Sequence, residues 1–205
     1  MTVEAGRINA IPNLVDLART RGFAIFPGVF TPAFMAEIER HLLDVYWCIA
    51  MLRHDPKIVA IAKQLCGPEL CDTWEAVVHH NPARIYDQWH FDIPWDSQDG
   101  GVIPCWRFAF YFRDYKTHSG ALAVAVGSHL GPVASHLAGN AVEPLRSSPG
   151  DLVVWNLRTR HCPNWQTDGL PAGSPRNAVI FDYAAPGADL ERYRAWRAQN
   201  REDKA

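Results

Sequence analysis

The segment from residue 70 to residue 184 constrains the fold most, because it divides into short strand-like runs separated by turn-forming residues. The runs are rich in β-branched and aromatic residues, and they are Thr73–His79, Arg84–Asp92, Trp106–Phe112, Leu122–Val126, Asp151–Asn156 and Asn177–Tyr183. The chain of 205 residues contains 14 glycines and 15 prolines, a content that suits many turns. The pattern predicts a β-sandwich or barrel core.

The residues on either side of this core have helical spacing. Predicted helices cover Ile11–Arg21, a segment from Pro32 that stays periodic as far as Val45, a segment from Pro56 to Gly67, and Ala188–Asn200. Thr31 and Pro32 suit the N-cap and the first position of the second helix. Helices followed by strands predict an α+β fold in a single domain. Its parts are a helical flank with the first strand (1–69), a strand-rich core (70–184) and a C-terminal helix (185–205).

The run Trp106–Phe112 shows which way its side chains point. Successive residues of a strand face opposite sides, so one face carries four aromatic rings and the other carries Arg107, Ala109 and Tyr111. The aromatic face must be buried. The opposite face either meets water, as in many antiparallel sheets, or forms a polar wall inside a barrel.

Composition argues against several classes of partner. Lys and Arg total 20 and Asp and Glu total 22, and no basic stripe predicts a nucleic-acid partner. No apolar run approaches the ~18 residues of a membrane span. The N-terminal residues do not resemble a signal peptide, and the five cysteines form no Cys-x-x-Cys pair. We therefore expect a cytoplasmic protein with reduced thiols and without a nucleic-acid or membrane partner.

His90 and Asp92 form a His-x-Asp triplet, and His161 follows about seventy residues later. On a strand, residues two apart point to the same side, so His90 and Asp92 can reach one ion together. Two histidines and one carboxylate are the facial triad that binds Fe(II) and leaves coordination positions open. A chain with nine histidines and 22 acidic residues also produces such a triplet by chance, so a surface histidine beside an acid is the competing interpretation.

Four segments, taken in order, resemble the phytanoyl-CoA dioxygenase family of Fe(II)/2-oxoglutarate-dependent oxygenases. They are Arg21–Pro32, Gln88–Asp92, Ser119–His129 and Pro149–His161. The resemblance implies a double-stranded β-helix (jelly-roll, cupin-like) core flanked by N-terminal helices. It also implies a dioxygenase that uses Fe(II), 2-oxoglutarate and O₂ to hydroxylate, desaturate or cyclise a small molecule.

The resemblance assigns roles to residues of this chain. His90, Asp92 and His161 would hold Fe(II). Arg176, which follows His161 by 15 residues, would bind the far carboxylate of 2-oxoglutarate, a role that suits a permanently charged, forked guanidinium.

Residues next to these would line the pocket. In the family, the inward face of the strand that matches Trp106–Phe112 touches the co-substrate. Tyr111 is therefore expected to contact 2-oxoglutarate, and Arg107 to bind an anionic group or a structural acid, with simple packing as the alternative. Gln88 and Trp95 are candidates for substrate contact, although core packing competes for Trp95.

Two other functions stay open at this point. One is a cupin-like metalloenzyme that uses the same three ligands without 2-oxoglutarate. The other is a non-catalytic jelly-roll binding or accessory protein. Intact metal ligands favour an enzyme over a binding protein.

Overall fold

The computed structural model describes residues 11–82, 88–116, 120–133, 139–163 and 175–202. The helices in these ranges are α1 (Ile11–Arg21), α2 (Pro32–Arg40), α3 (Val45–Arg53), α4 (Pro56–Cys66) and α5 (Ala188–Glu202). The strands are β1 (Phe23–Phe26), β2 (Cys71–Pro82), β3 (Cys105–Tyr111), β4 (Ala123–Ala125), β5 (Val142–Pro144), β6 (Leu152–Asn156), β7 (His161–Cys162) and β8 (Pro175–Ala184).

Side chains at the helix ends explain where the N-terminal helices begin. The hydroxyl of Thr31 accepts a hydrogen bond from the amide of Phe34 at 3.2 Å, which confirms the predicted start of α2. The prediction that this helix continues to Val45 was wrong. The carboxylate of Asp44 accepts from the amide of Trp47 at 3.0 Å, so a new helix begins there after a turn.

The strands form two antiparallel sheets. The larger has the order β1-β6-β3-β8-β2, and the smaller has the order β5-β4-β7. In the larger sheet, the register of β3 and β8 sets Arg107 directly opposite Asp182. Helices and antiparallel strands together confirm the α+β class.

Two apolar clusters cover the two faces of the larger sheet. The cluster between this sheet and helices α1 to α4 includes Val15, Ile38, Leu52, Ile61, Phe108, Phe110 and Phe181. The cluster between the two sheets includes Phe23, Ala109, Tyr111, Val153, Trp155, Leu122, Val124 and Leu145. The aromatic face of β3 is therefore buried against helices, as predicted, and its opposite face lies inside the protein rather than in water.

The predicted strand Arg84–Asp92 is wrong in the part that the structure describes. Residues 83–87 lie outside the described ranges, and residues 88–92 make a single isolated bridge, between His90 and His161. The amides of Asp92 and Ile93 both donate to the carbonyl of Leu157, at 3.1 and 3.0 Å. Consecutive amides of a regular strand point to opposite sides, so the chain bends at this point.

A third apolar cluster joins helix α5 to the bend after Asp92. Its buried members are Ile93, Ile103, Cys105, Leu157, Ala184, Leu190 and Tyr193. The C-terminal helix therefore packs behind the segment that carries two of the three predicted metal ligands.

Two findings bear on the environment of the protein. Within the described ranges, no helix has the length and apolar character needed to cross a membrane. All five cysteines have free thiols, and four of the five are buried.

Candidate metal centre

The structure brings His90, Asp92 and His161 together. One donor atom of each lies within 4.8 Å of the others, and they form the one such group of potential metal ligands among the described residues. The amide of each histidine donates to the carbonyl of the other at 2.9 Å. This reciprocal pair sets the two imidazole rings side by side, with ring centroids 4.3 Å apart.

Backbone carbonyls fix the orientation of both imidazoles. Nδ1 of His90 lies 3.0 Å from the carbonyl oxygen of Gln88, and Nδ1 of His161 lies 2.9 Å from that of Thr159. A carbonyl oxygen can only accept, so each Nδ1 carries the proton and each Nε2 keeps its lone pair. Metal-ligating histidines are held in this way in proteins.

Asp92 completes a set of electron-pair donors. Its Oδ2 lies 3.6 Å from Nε2 of His161. With Nδ1 protonated, neither of these atoms has a proton to share with the other. Two imidazole nitrogens and one carboxylate oxygen therefore fit a divalent transition metal with open coordination positions.

The protonation states suit this role. Burial lowers the pKa of His161 to about 4, although the Asp92 carboxylate acts in the opposite direction. Burial alone would raise the pKa of Asp92. The Arg107 cation, followed by the two histidines and the indole N–H of Trp155, outweighs burial and lowers that pKa below its ordinary value. A neutral imidazole and an ionised carboxylate are the forms that bind a metal.

Arg107 links Asp92 to a second buried acid. Its Nη1 donates to Oδ1 of Asp92 at 2.7 Å, and its Nε and Nη2 donate to the two oxygens of Asp182 at 2.7 and 2.9 Å. The sequence left open whether Arg107 binds an anionic group or a structural acid, and the structure shows a structural acid, Asp182. The role of Arg107 toward 2-oxoglutarate stays a prediction.

Sequence reasoning did not select Asp182 or Trp155. Asp182 is fully buried, and a charged residue within the apolar run Val179–Tyr183 is the signal that points to it. Trp155 lies on β6 with its ring centroid 5.6 Å from that of His161 and its Nε1 3.4 Å from Oδ2 of Asp92. A tryptophan in a strand has no comparable signal, because core packing explains it equally well.

The two residues predicted to bind 2-oxoglutarate beside Arg107 lie on the larger sheet. Tyr111 is buried on the same face of β3 as Arg107, and its ring makes an edge contact with Tyr115 at 5.5 Å. The backbone of Arg176 pairs with Asn81 on β2, and its side chain lies outside the described part of the chain.

The candidates for substrate contact occupy different surroundings. Gln88, two residues before His90 in the sequence, is exposed. Trp95 packs against α5, where its ring makes an edge contact with Trp196 at 5.5 Å and lies 4.7 Å from the guanidinium carbon of Arg192.

Two further residues are of types that can bind a metal. Nε2 of His129 lies 2.8 Å from the carbonyl oxygen of Arg19. Cys162 is buried beside His161, but it is not a member of the three-residue metal-ligand group.

Comparison with solved structures identifies the fold. Neither a family model nor a curated protein sequence matches the chain. The epimerase SnoN from nogalamycin biosynthesis, solved with Fe³⁺ and α-ketoglutarate, superposes with a TM-score of 0.67 at 18% identity, covering 87% of this chain and 84% of that one. AviO1 from Streptomyces viridochromogenes Tue57 gives 0.63 at 18% identity, covering 86% and 96%. EctD from S. alaskensis gives 0.66 at 16% identity, covering 84% and 75%. This chain shares its fold of helices and antiparallel sheets with these non-haem enzymes. The shared fold is consistent with the family resemblance.

Proposed function

We propose that this protein is a non-haem Fe(II)/2-oxoglutarate-dependent dioxygenase that acts on a small molecule. The observation that carries the proposal is the convergence of one donor atom each from His90, Asp92 and His161 within 4.8 Å. The fixed Nδ1 protons of His90 and His161 support it, because they leave Nε2 as the donor on each ring.

We further propose that the core is a double-stranded β-helix and that residues 1–205 form one domain. The apolar cluster shared by the two antiparallel sheets supports a sandwich of this type. The packing of α5 against the bend after Asp92 supports a C-terminal helix that belongs to the same domain.

Each residue of the site has a distinct task in this proposal. When bound, Fe(II) and 2-oxoglutarate would supply the electrons that activate O₂, the oxidant, for attack on a substrate C–H bond. His90, Asp92 and His161 hold the metal through one atom each and leave its remaining positions open. The apolar cluster around Trp155 keeps water away from the buried side of the site.

Two residues of the larger sheet would hold the co-substrate. Arg176 has the same strand parity on β8 as Asp182, whose carboxylate points toward the metal ligands through Arg107. This parity supports a role for Arg176 on the far carboxylate of 2-oxoglutarate. The burial of Tyr111 on the inner face of β3 supports a contact with the same molecule.

The proteins that share the fold support a small-molecule substrate and leave the reaction type open. SnoN is an epimerase that was solved with nogalamycin RO, SnoK is a carbocyclase from the same pathway, and EctD was solved with 5-hydroxyectoine. Hydroxylation, desaturation and cyclisation are all consistent with such a site. Gln88, exposed two residues before His90 in the sequence, and Trp95 are the residues that we propose for substrate contact.

An anaerobic titration tests the proposal directly. Fe(II) and 2-oxoglutarate are added to the purified apoprotein, and the visible metal-to-ligand charge-transfer band of the chelate is recorded. We expect the band in the wild type and in His54→Ala, which alters an exposed histidine, and its loss in His161→Ala. Iron binding without the band would reject 2-oxoglutarate and favour the cupin-like metalloenzyme. Absence of metal binding would favour a binding protein.

Two further variants test the co-substrate contacts. Arg176→Ala should keep metal binding and lose the charge-transfer band, because the chelate loses its distal anchor. Tyr111→Phe should raise the KM for 2-oxoglutarate, and an unchanged KM would reject a direct contact by its hydroxyl.

A further inference from the structure

Asp182 is the most deeply buried charge near the metal ligands, although it is not a ligand itself. Its side chain is 0% exposed, and its two oxygens accept from Nε and Nη2 of Arg107. The register of β3 and β8 makes the two residues a direct cross-strand pair. A buried carboxylate of this kind is costly unless a charged partner satisfies it, so the pair needs an explanation beyond simple packing.

We propose that Asp182 is a positioning residue that limits Asp92 to one metal-binding oxygen by clamping Arg107. The inference rests on the metal centre proposed above, and it concerns how that centre is kept accessible. Asp182 binds one edge of the guanidinium in the bidentate manner that arginine favours. Nη1 is left to bind Oδ1 of Asp92 at 2.7 Å, so Oδ2 stays turned toward the histidines.

Without this clamp, Arg107 would compete with the metal. A guanidinium released from Asp182 can turn its fork onto Asp92 and occupy both carboxylate oxygens, since bidentate pairing is its preferred geometry. Asp182 also sets the local charge. Asp92, Asp182 and Arg107 together carry one net negative charge, whereas neutralising Asp182 leaves none to attract a divalent cation.

The surroundings of the pair keep it in place. The ring centroid of Trp155 lies 6.0 Å from the guanidinium carbon of Arg107. The hydroxyl of Tyr193, on α5, donates to Oδ2 of Asp182 at 3.4 Å. The C-terminal helix therefore contributes to holding the clamp that faces the metal ligands.

The test is a titration of the apoprotein with Co(II), followed by its visible absorption, which requires neither O₂ nor turnover. Asp182→Asn keeps the size of the side chain but places an amide N–H against a donor of Arg107. We expect it to weaken Co(II) binding by about 10- to 100-fold, the usual effect of losing an outer-shell partner. Asp151→Asn is the matched control, because it neutralises another buried aspartate, whose carboxylate binds Lys116 and the amides of Gly28 and Ser148. It should leave Co(II) affinity unchanged.

The double variant D182N/R107Q separates competition from simple structural support. If the released cation competes for Asp92, removing that cation as well should restore most of the lost affinity. If Asp182 is only structural, the double variant should bind no better than D182N, and this result would overturn the proposal. Should D182N fail to fold, the double variant carries the test, because it removes the Arg107 cation together with the Asp182 carboxylate that balances it and leaves Asp92 to the metal. It should then bind Co(II) within about tenfold of the wild type, and a larger loss would overturn the proposal.

The two proposals fail in different ways. If the wild type does not bind Co(II), the metal centre itself is rejected. If the wild type binds Co(II) and D182N binds it equally well, the metal centre stands and the clamp is rejected.

Discussion

Replacing His161 by glutamine should remove much of the acid sensitivity of the metal-free protein. The pKa of His161 is lowered from 6.5 to about 4 in the folded state by burial, so the unfolded chain binds a proton at a higher pH than the folded protein does. Stability is therefore complete above pH 6.5, declines as the pH falls through this interval, and reaches its lower limit below pH 4. Over the full interval the free energy of unfolding falls by about 3 kcal/mol, of which about 2.5 kcal/mol is lost by about pH 4.5.

The assay is urea denaturation of chelator-treated protein at about pH 7.5 and about pH 4.5, followed by tryptophan fluorescence. His161→Gln keeps a donor for the carbonyl of Thr159 but cannot titrate. Its loss of unfolding free energy between the two conditions should be smaller than that of the wild type by about 2.5 kcal/mol. His54→Gln, at an exposed position, should behave like the wild type. Equal losses in wild type and His161→Gln would mean that the buried imidazole ionises in the folded protein, and would refute the reasoning.

Three further substitutions test other parts of the structure. Phe108→Ala, in the cluster beneath the helices, should lower the unfolding free energy by about 3–5 kcal/mol in chemical denaturation, without changing Co(II) affinity. Gly150→Ala should lower the melting temperature, because its φ is +98° and the added Cβ would lie 2.3 Å from the carbonyl oxygen of Phe30. Arg158→Met should accelerate amide hydrogen exchange in residues 95–100 and 130–133, since Nη2 of Arg158 binds Asp96 and the carbonyl of Gly131 at 2.8 Å each. Unchanged exchange would show that this ion pair does not restrain the two loops.

Local patterns in the sequence were sufficient to predict which faces of the elements are buried. Alternation along Trp106–Phe112 predicted a buried aromatic face, because burial in a strand repeats every two residues. The N-cap at Thr31 could also be predicted, because capping involves residues that are neighbours in the sequence. The break between α2 and α3 was not anticipated, because the apolar spacing continues across it to Val45, where the Asp44 carboxylate caps a new helix.

The parts of the site that depend on pairing between strands far apart in the sequence could not be predicted. Arg107 and Asp182 are opposite each other only through the register of β3 and β8, which no local pattern encodes. The strand β7 has two residues, too few to display a period. His90 and Asp92 lie close enough to bind one ion, as expected. Their closeness comes from a bend held by the carbonyl of Leu157 and not from a regular strand.

The reciprocal bridge between His90 and His161 also determines when the site can form during synthesis. The residues that hold Asp92 and His90 in place emerge from the ribosome about seventy residues later, a delay of roughly 4 to 14 seconds at ordinary rates. Until then, the nascent chain offers a histidine and an aspartate without the partner strand that orients them. Asp182 follows later still, on β8. The three-residue group is therefore completed late, after the segments that carry Leu157 and His161 have paired, and a metal would bind this folded site instead of nucleating it.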